Sequence, residues 1–262
     1  MPLTHDLIQQ IVADGNHSIY LASDIKRFSL ECKKNNEVFD AKTFVDELKA
    51  KLLPEHSLIV PAFTDTLKNG EHFDLVKSKP TIGALPNRVF RRKDYFRTND
   101  PLHSACIYGP FAENDFEAKS TFGKNSLFHN LLKNNVVQVF LDVDLQNSFT
   151  FIHYVEELKK VAYRKHYKLK YLQNGTLKIH LFHTRKPGFI TDLSKLQSKM
   201  LQNGVLEKSE LNGISIFRLE TTKAFDFLCS EIEQHGGTEW RYFSWKAYFR
   251  RWLKRILKNQ AF

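Results

Sequence analysis

The sequence of 262 residues has few cysteines and no long apolar run. Its three cysteines (Cys32, Cys106 and Cys229) lack the close spacing of a metal site or a redox pair. This excludes a disulfide framework and is typical of a reducing compartment. A membrane-spanning helix would need about 18 consecutive apolar residues, and the first residues lack the apolar core of a signal peptide. We therefore expect a cytoplasmic protein that does not span a membrane.

Acidic residues are absent from the segment 240–262, here called the tail, although it contains seven lysines and arginines. The whole chain has 39 Lys and Arg against 29 Asp and Glu, a formal charge of +10. The remaining residues, 1–239, here called the body, therefore hold 32 cations and 29 acids. The basic character thus belongs mainly to the tail, and the body is nearly neutral.

Apolar residues recur in the tail with the spacing of one helix face. They are Trp245, Tyr248, Phe249, Trp252, Leu253, Ile256 and Leu257. A helix with one apolar face and one wholly cationic face is typical of proteins that bind the surface of an anionic membrane. The pattern over residues 244–258 therefore predicts peripheral attachment to a membrane. The alternative is a helix docked on its own domain with a solvated basic face. Nucleic acid is not expected as a partner, because the cations are confined to one helix.

Strand and helix patterns alternate along the body, with no long linker or internal repeat. Runs rich in Ile, Val, Tyr and Phe predict strands at 17–23, 57–63, 105–109 and 136–143, and a strand at 213–219. Helical spacing predicts helices at 40–53, 126–133, 150–163, 191–202 and 221–234. Asn174-Gly175 between two apolar runs indicates a hairpin. Alternation of this kind favours a layered α/β architecture with a mixed sheet, divided into domain 1–239 and tail 240–262.

One polar motif follows a strand directly and is the first candidate for chemistry. Thr150, His153 and Glu156 are spaced by three residues, which places them on one face of the helix predicted there. Glu156 would then be close enough to orient the imidazole of His153, a general base with its orienting acid. The alternative is an ordinary solvated helix face, because polar residues at this spacing are common.

Two further segments contain residues that can face a cleft. His103 and Ser104 stand where a loop enters the strand predicted at 105–109, although a loop histidine is more often satisfied by the backbone. Gly123 and Ser126 belong to a loop that opens a helix, a place that can receive phosphate or phosphopantetheine oxygens. The eleven histidines show neither HxxxH nor HExxH spacing, so no metal site is expected.

The order of these motifs resembles the aminoglycoside 3-N-acetyltransferase family. The resemblance rests on the segments 61–64, 80–85, 97–109, 122–126 and 150–156, and extends more faintly from about residue 18 to residue 232. It implies an acetyl-CoA-dependent N-acetyltransferase with a three-layer α/β/α sandwich around a mixed sheet. In such an enzyme His153 would take a proton from the substrate amine and Glu156 would polarise it. Thr150 would lie where the thioester carbonyl is held.

The remaining site residues are assigned from their places at the ends of the predicted elements. We predict that Ser104, Gly123 and Ser126 contact acetyl-CoA and that His103 contacts the acceptor. Asp142 and Asp144 follow a predicted central strand and would bind a cationic amine; the alternative is that they cap loops.

The nearly neutral body bears on the acceptor, because an enzyme for polycationic aminoglycosides should profit from an acidic surface. We hypothesise an amino sugar carried on a nucleotide, lipid diphosphate or polysaccharide and acetylated during surface-glycan assembly. One alternative is an aminoglycoside 3-N-acetyltransferase proper that confers antibiotic resistance. Another is a non-catalytic protein on the same fold, associated with a membrane or nucleic acid.

Overall fold

The computed structural model describes residues 2–13, 17–64 and 67–259, and for Trp252 and 254–259 it describes the backbone only. The helices are α1 (Leu3–Val12), α2 (Lys26–Lys34), α3 (Ala41–Lys51), α4 (Leu85–Val89), α5 (Leu127–Lys133), α6 (Leu145–Ser148), α7 (Ile152–Leu158), α8 (Ser194–Gln202), α9 (Thr221–His235) and α10 (Trp245–Asn259). The strands are β1 (Ile19–Ser23), β2 (Leu58–Pro61), β3 (Phe96–Arg97), β4 (Ala105–Tyr108), β5 (Val137–Leu141), β6 (Arg164–Gln173), β7 (Thr176–Arg185), β8 (Phe189–Thr191), β9 (Glu207–Leu211), β10 (Ile214–Glu220) and β11 (Arg241–Phe243).

Seven of these strands form the main sheet, in the order β3-β4-β2-β1-β5-β10-β9. β1 pairs in parallel with β2 and β5, and the other pairings are antiparallel, so the sheet is mixed as predicted. The four strands predicted at 17–23, 57–63, 105–109 and 136–143 are β1, β2, β4 and β5 and lie side by side in its middle. Their uninterrupted burial explains why their apolar runs were recognisable.

Helices cover both faces of the sheet and make a three-layer sandwich. Alternate residues of β1 separate the two cores: Tyr20 belongs to the core under α5, α7, α8 and α9, and Leu21 to the core under α1, α2, α3 and α4. Phe140 and Leu141 on β5 divide in the same way. This confirms the predicted α/β/α fold, because side chains of a strand alternate between its faces.

Local sequence signals account for several element boundaries. Asp40 caps α3 by accepting a hydrogen bond from the Thr43 N–H at 2.8 Å. Asn174 and Gly175 both have positive φ, as a two-residue hairpin turn requires, and β6 and β7 pair over ten residues on either side. This hairpin and the pair β8–β11 form two small sheets apart from the main one.

Other boundaries differ from the prediction. The helix predicted at 150–163 ends at Leu158, because Lys160 takes a positive φ of 51° and the chain continues into β6. Helix α1 and strand β9 were not predicted; β9 is a charged, exposed edge strand without the alternating apolar residues of a half-buried one. No helix in the described ranges is long and apolar enough to cross a membrane.

Candidate active site

A cavity of about 900 Å³ lies at the carboxyl ends of the parallel strands β1 and β2. Its lining comes from residues after these strands, from α6 and α7, from the end of the β6–β7 hairpin, and from β8 and β11. Ligands of open α/β sheets bind at this edge, where loops from neighbouring strands diverge. The predicted site residues are therefore expected to line this cavity.

His153 and Glu156 lie one turn apart on α7 and are in direct contact. The Nδ1 atom of His153 is 2.9 Å from Oε2 of Glu156. The Glu156 side chain is fully buried, whereas that of His153 is 27% exposed and lines the cavity. The spacing of three residues therefore produces the expected contact, with the acid inside and the imidazole at the cavity wall.

Glu156 is surrounded by hydrogen-bond donors from distant parts of the chain. Besides His153, they are Tyr163 (3.1 Å), Trp240 (3.1 Å), Arg164 (2.8 Å) and Arg241 (3.0 Å). Burial alone would raise the pKa of Glu156, but the hydrogen bond from His153 and the charges of the two arginines hold it well below its ordinary value. The carboxylate is therefore ionised, and as an acceptor it orients all its neighbours.

The same surroundings keep His153 neutral. Its burial and the positive charge of Arg164 lower the pKa of His153 well below 6.5, against the opposite effect of Glu156. Nδ1 of His153 lies between the Glu156 carboxylate, which can only accept, and Nη1 of Arg164 at 3.0 Å, which can only donate. Because Arg164 Nη1 already donates to Glu156 at 2.8 Å, we assign the Nδ1 proton to His153 and the lone pair to Nε2. A neutral imidazole fixed in this tautomer can take a proton from a group bound in the cavity.

Thr150 and His103 are the other predicted site residues that line the cavity. Thr150 stands just before the start of α7 on a stretch of the lining that also includes Ser148. The ring of His103 stacks on Phe182 of β7 with centroids 5.5 Å apart and contacts Phe63 at 4.4 Å. The structure thus brings Thr150, His103 and His153 to one cavity, and their roles in the reaction stay predictions.

The two aspartates predicted to bind the amine do not belong to the cavity lining. Asp142 is 3.0 Å from Arg27 in an ion pair, and its side chain is almost fully buried. Asp144 caps α6 by accepting from the Asn147 N–H at 3.0 Å. Asp144 thus acts as a cap, whereas Asp142 is paired with an arginine, and binding of a cationic amine by either residue stays a prediction.

Ser104, Gly123 and Ser126, predicted to contact acetyl-CoA, also lie outside the cavity lining. The buried Ser104 hydroxyl donates to the Ala62 carbonyl at 2.8 Å. Ser126 caps α5, and Gly123 accepts a turn hydrogen bond from the Ser126 N–H. These contacts give all three residues a place in local structure, and their contact with acetyl-CoA stays a prediction.

Three arginines of the cavity were not among the predicted site residues. Arg164 begins β6, Arg185 ends β7, and Arg241 begins β11. Arg241 and its neighbour Trp240 are buried although both fall in the tail as first divided, so we propose that the body extends through β11. A single arginine forms no recognisable sequence motif. The one local signal was Trp240, next to Arg241, because this apolar residue does not fit the helical spacing of the other apolar residues in the tail.

In the part of the chain that the structure describes, no three His, Cys, Asp or Glu side chains are grouped to hold a metal ion. A mixed α/β/α sandwich with a neutral histidine, oriented by a buried glutamate, at the ligand-binding edge of its sheet defines an enzyme of the acid–base type.

The chain belongs to the aminoglycoside 3-N-acetyltransferase family, whose model matches residues 25–233. This confirms the family resemblance and the predicted class of enzyme, an N-acetyltransferase. A search of curated protein sequences found no match.

Solved structures of the same fold include aminoglycoside acetyltransferase AAC(3)-Xa, 17% identical, with a TM-score of 0.72 over 89% of this chain and 92% of that one. AAC-IIIb in a binary complex with CoASH is 14% identical, with a TM-score of 0.71 over 92% and 97%. The YokD protein from Bacillus subtilis is 14% identical, with a TM-score of 0.70 over 89% and 98%. At these identities the likeness shows a shared fold.

Proposed function

We propose that the protein transfers an acetyl group from acetyl-CoA to the amine of an amino-sugar acceptor during surface-glycan assembly. The observation that carries the proposal is the neutral, Glu156-held His153 at the cavity wall, in a chain of this family. A protein of the same fold was solved with CoASH, and another, AAC(3)-IVa, in complexes with a gentamicin and with apramycin, which supports CoA chemistry on an amine.

The proposed reaction is a direct transfer with His153 as its base. Acetyl-CoA supplies the acetyl group as a thioester, and the amine nitrogen forms a bond to its carbonyl carbon as the carbon–sulfur bond breaks. Nε2 of His153 takes the proton that the amine loses and returns it to the departing sulfur. Thr150, beside it in the cavity lining, offers a hydroxyl to the oxygen on which negative charge develops. No cysteine is used in this reaction, since Cys32, Cys106 and Cys229 all lie outside the described cavity lining.

The first test measures donor and acceptor separately. Calorimetry should show binding of acetyl-CoA, which a non-catalytic protein on this fold would not need. An assay of CoA release, run with a panel of aminoglycosides and nucleotide-linked amino sugars, should show turnover of the amino sugars. Turnover of kanamycin-like substrates alone would instead make the protein an aminoglycoside-resistance enzyme.

We also propose that the tail holds the enzyme at an anionic membrane surface on the cytoplasmic side. Helix α10 leaves large apolar side chains in solvent: Trp245 is 66% exposed, Phe249 53% and Leu253 51%. Trp245 and Phe249 stack on each other with ring centroids 6.0 Å apart. An apolar stripe that the body does not cover, bordered by cations and no acid, fits a membrane of anionic lipid.

Removal of 244–262 should end flotation with anionic liposomes at low salt and leave acetyl transfer intact. The double variant Trp245→Gln/Phe249→Gln should lose most of the flotation with the charge unchanged, because the apolar contact is lost. The control Val38→Gln changes a side chain that is exposed on the body. If the full-length protein ignores anionic vesicles at low salt, α10 is not a membrane helix.

A further inference from the structure

The charges of the cavity lining are unequal. Arg164, Arg185, Arg241 and Lys26 line it, whereas Asp24 is its single acid among the described residues. A polycationic acceptor would meet repulsion in such a cavity, and an acceptor with a negative group would meet attraction. The cavity lining is therefore positively charged, whereas a polycationic aminoglycoside would be bound best by a negatively charged one.

The three arginines are brought together by strand pairing. Arg164 and Arg185 are directly opposite each other in the β6–β7 register. Arg185 donates from Nη1 to the Thr191 hydroxyl at 3.0 Å, and Thr191 is the register partner of Arg241 in the β8–β11 pair. Like charges directly opposite on neighbouring strands are destabilising. Something other than stability of the unliganded protein is needed to account for this cluster.

Glu156 compensates the cluster only in part. It pairs with both Arg164 and Arg241, and its single negative charge leaves the three arginines with a net charge of +2. Arg185 forms no ion pair with any described residue, and the buried Nε atom of Arg164 has no hydrogen-bond partner among them. Burial first, and then the positive charges of Arg241 and Arg251, lower the pKa of Arg185.

We propose that the acceptor carries an anionic group, a phosphate or a carboxylate, which Arg185 and Arg241 bind in the cavity beside the reacting amine. The proposal rests on the proposed function and names the chemical class of its acceptor. The planar guanidinium group matches both anions and can donate two parallel hydrogen bonds to either. Arg185 is the main ligand, because its single described hydrogen bond leaves most of its donors for the acceptor. Lys26, exposed at the cavity rim, adds a third positive charge.

The test compares matched amines. We expect kcat/KM for at least one of glucosamine 1-phosphate, glucosamine 6-phosphate and muramic acid to exceed that for glucosamine by about 10-fold or more, because charged hydrogen bonds are strong. In Arg185→Gln this preference should fall by about 10- to 100-fold, and Arg185→Lys should restore part of it. Lys165→Gln removes an exposed positive charge from the same hairpin outside the cavity lining, and should keep the preference.

Two results would overturn the proposal while leaving the proposed function intact. One is acetylation of glucosamine as efficient as that of every charged amine. The other is a weaker Kd for CoA in Arg185→Gln, measured by calorimetry, with an unchanged preference among acceptors, since the arginines would then serve the phosphates of the donor. Failure of the proposed function looks different: the wild-type protein would neither bind acetyl-CoA nor acetylate any of these amines.

Discussion

Replacement of His153 by alanine is expected to lower kcat/KM for acetyl transfer by about 100- to 10,000-fold, the usual contribution of a general base. The reason is geometric. His153 is a neutral imidazole at the cavity wall whose Nδ1 contacts buried Glu156, and in the proposed reaction its Nε2 takes the proton of the amine. Steady-state kinetics with acetyl-CoA and the best acceptor measures the loss, and binding of acetyl-CoA should persist.

His129 offers a matched control for this variant. It is a histidine on α5, hydrogen-bonded through Nδ1 to the Tyr154 hydroxyl at 3.2 Å, and it lies outside the cavity lining. His129→Ala should therefore keep its activity, and circular dichroism should show that both variants are folded. Activity of His153→Ala within a few-fold of wild type would refute the assignment of the base.

The pH dependence of the reaction follows from the lowered pKa of His153. Because the pKa of His153 is lowered from 6.5 to about 3, its protonation should not limit kcat/KM between these two pH values. The acid limb should instead follow the ionisation of the acceptor amine, since only the uncharged amine attacks. Two acceptors with different amine pKa values should therefore give acid limbs displaced by that difference.

Replacement of Glu156 by glutamine is expected to destabilise the folded protein by about 3–5 kcal/mol, because it leaves buried charges unpaired. Arg164 and Arg241 both donate to this carboxylate, and each is less than a tenth exposed. Urea unfolding at pH 7 measures the change. A loss well under 1 kcal/mol would show that the carboxylate is not what holds the two arginines.

The control is Glu157→Gln on the same helix. Glu157 accepts from the Ser120 hydroxyl at 2.9 Å and lies near two histidines, but it contacts no arginine among the described residues. Glu157→Gln should lower the free energy of unfolding by about 1 kcal/mol, the contribution of an ordinary hydrogen bond. The difference between the two variants then separates the loss of the buried contacts of Glu156 from the loss of one charge on α7.

Glu156→Gln should also change how the stability of the protein depends on pH. The folded-state pKa of Glu156 lies below its ordinary value of 4.5, so its contribution is present above that pH and is lost as the pH falls through the folded-state value. His153, also with a lowered pKa, adds a loss of stability as the pH falls below 6.5. Glu156→Gln should therefore flatten the decline of the unfolding free energy below about pH 4.5.

Much of the fold could be predicted because its signals are local. The central strands are buried on both sides, so their apolar runs stand out, and Asn174-Gly175 is a pair of residues that suits a tight two-residue turn. The tail helix was predictable from its apolar spacing. Strand β9 was not, because an edge strand that faces solvent has no apolar pattern to detect.

The site was predictable only where its residues are close in sequence. His153 and Glu156 meet because three residues make almost one helical turn, so their contact follows from the chain alone. Asp142 looked equally suggestive after its strand, but the structure turns it to Arg27, which is far away in sequence. A polar residue after a strand does not reveal which partner the fold will offer it.

What the sequence by itself determined is therefore the class of fold, the contact of His153 with Glu156 on one helix, and the concentration of positive charge in the tail rather than in the nearly neutral body. Each depends on spacing or composition within a short segment. Only the tertiary structure decided the charge of the cavity. Arg164, Arg185 and Arg241 come together through two strand pairings and through the carboxylate of Glu156, which is 85 residues from Arg241 in the sequence. Contacts of that range depend on the packing of whole elements, which no local pattern of residues records.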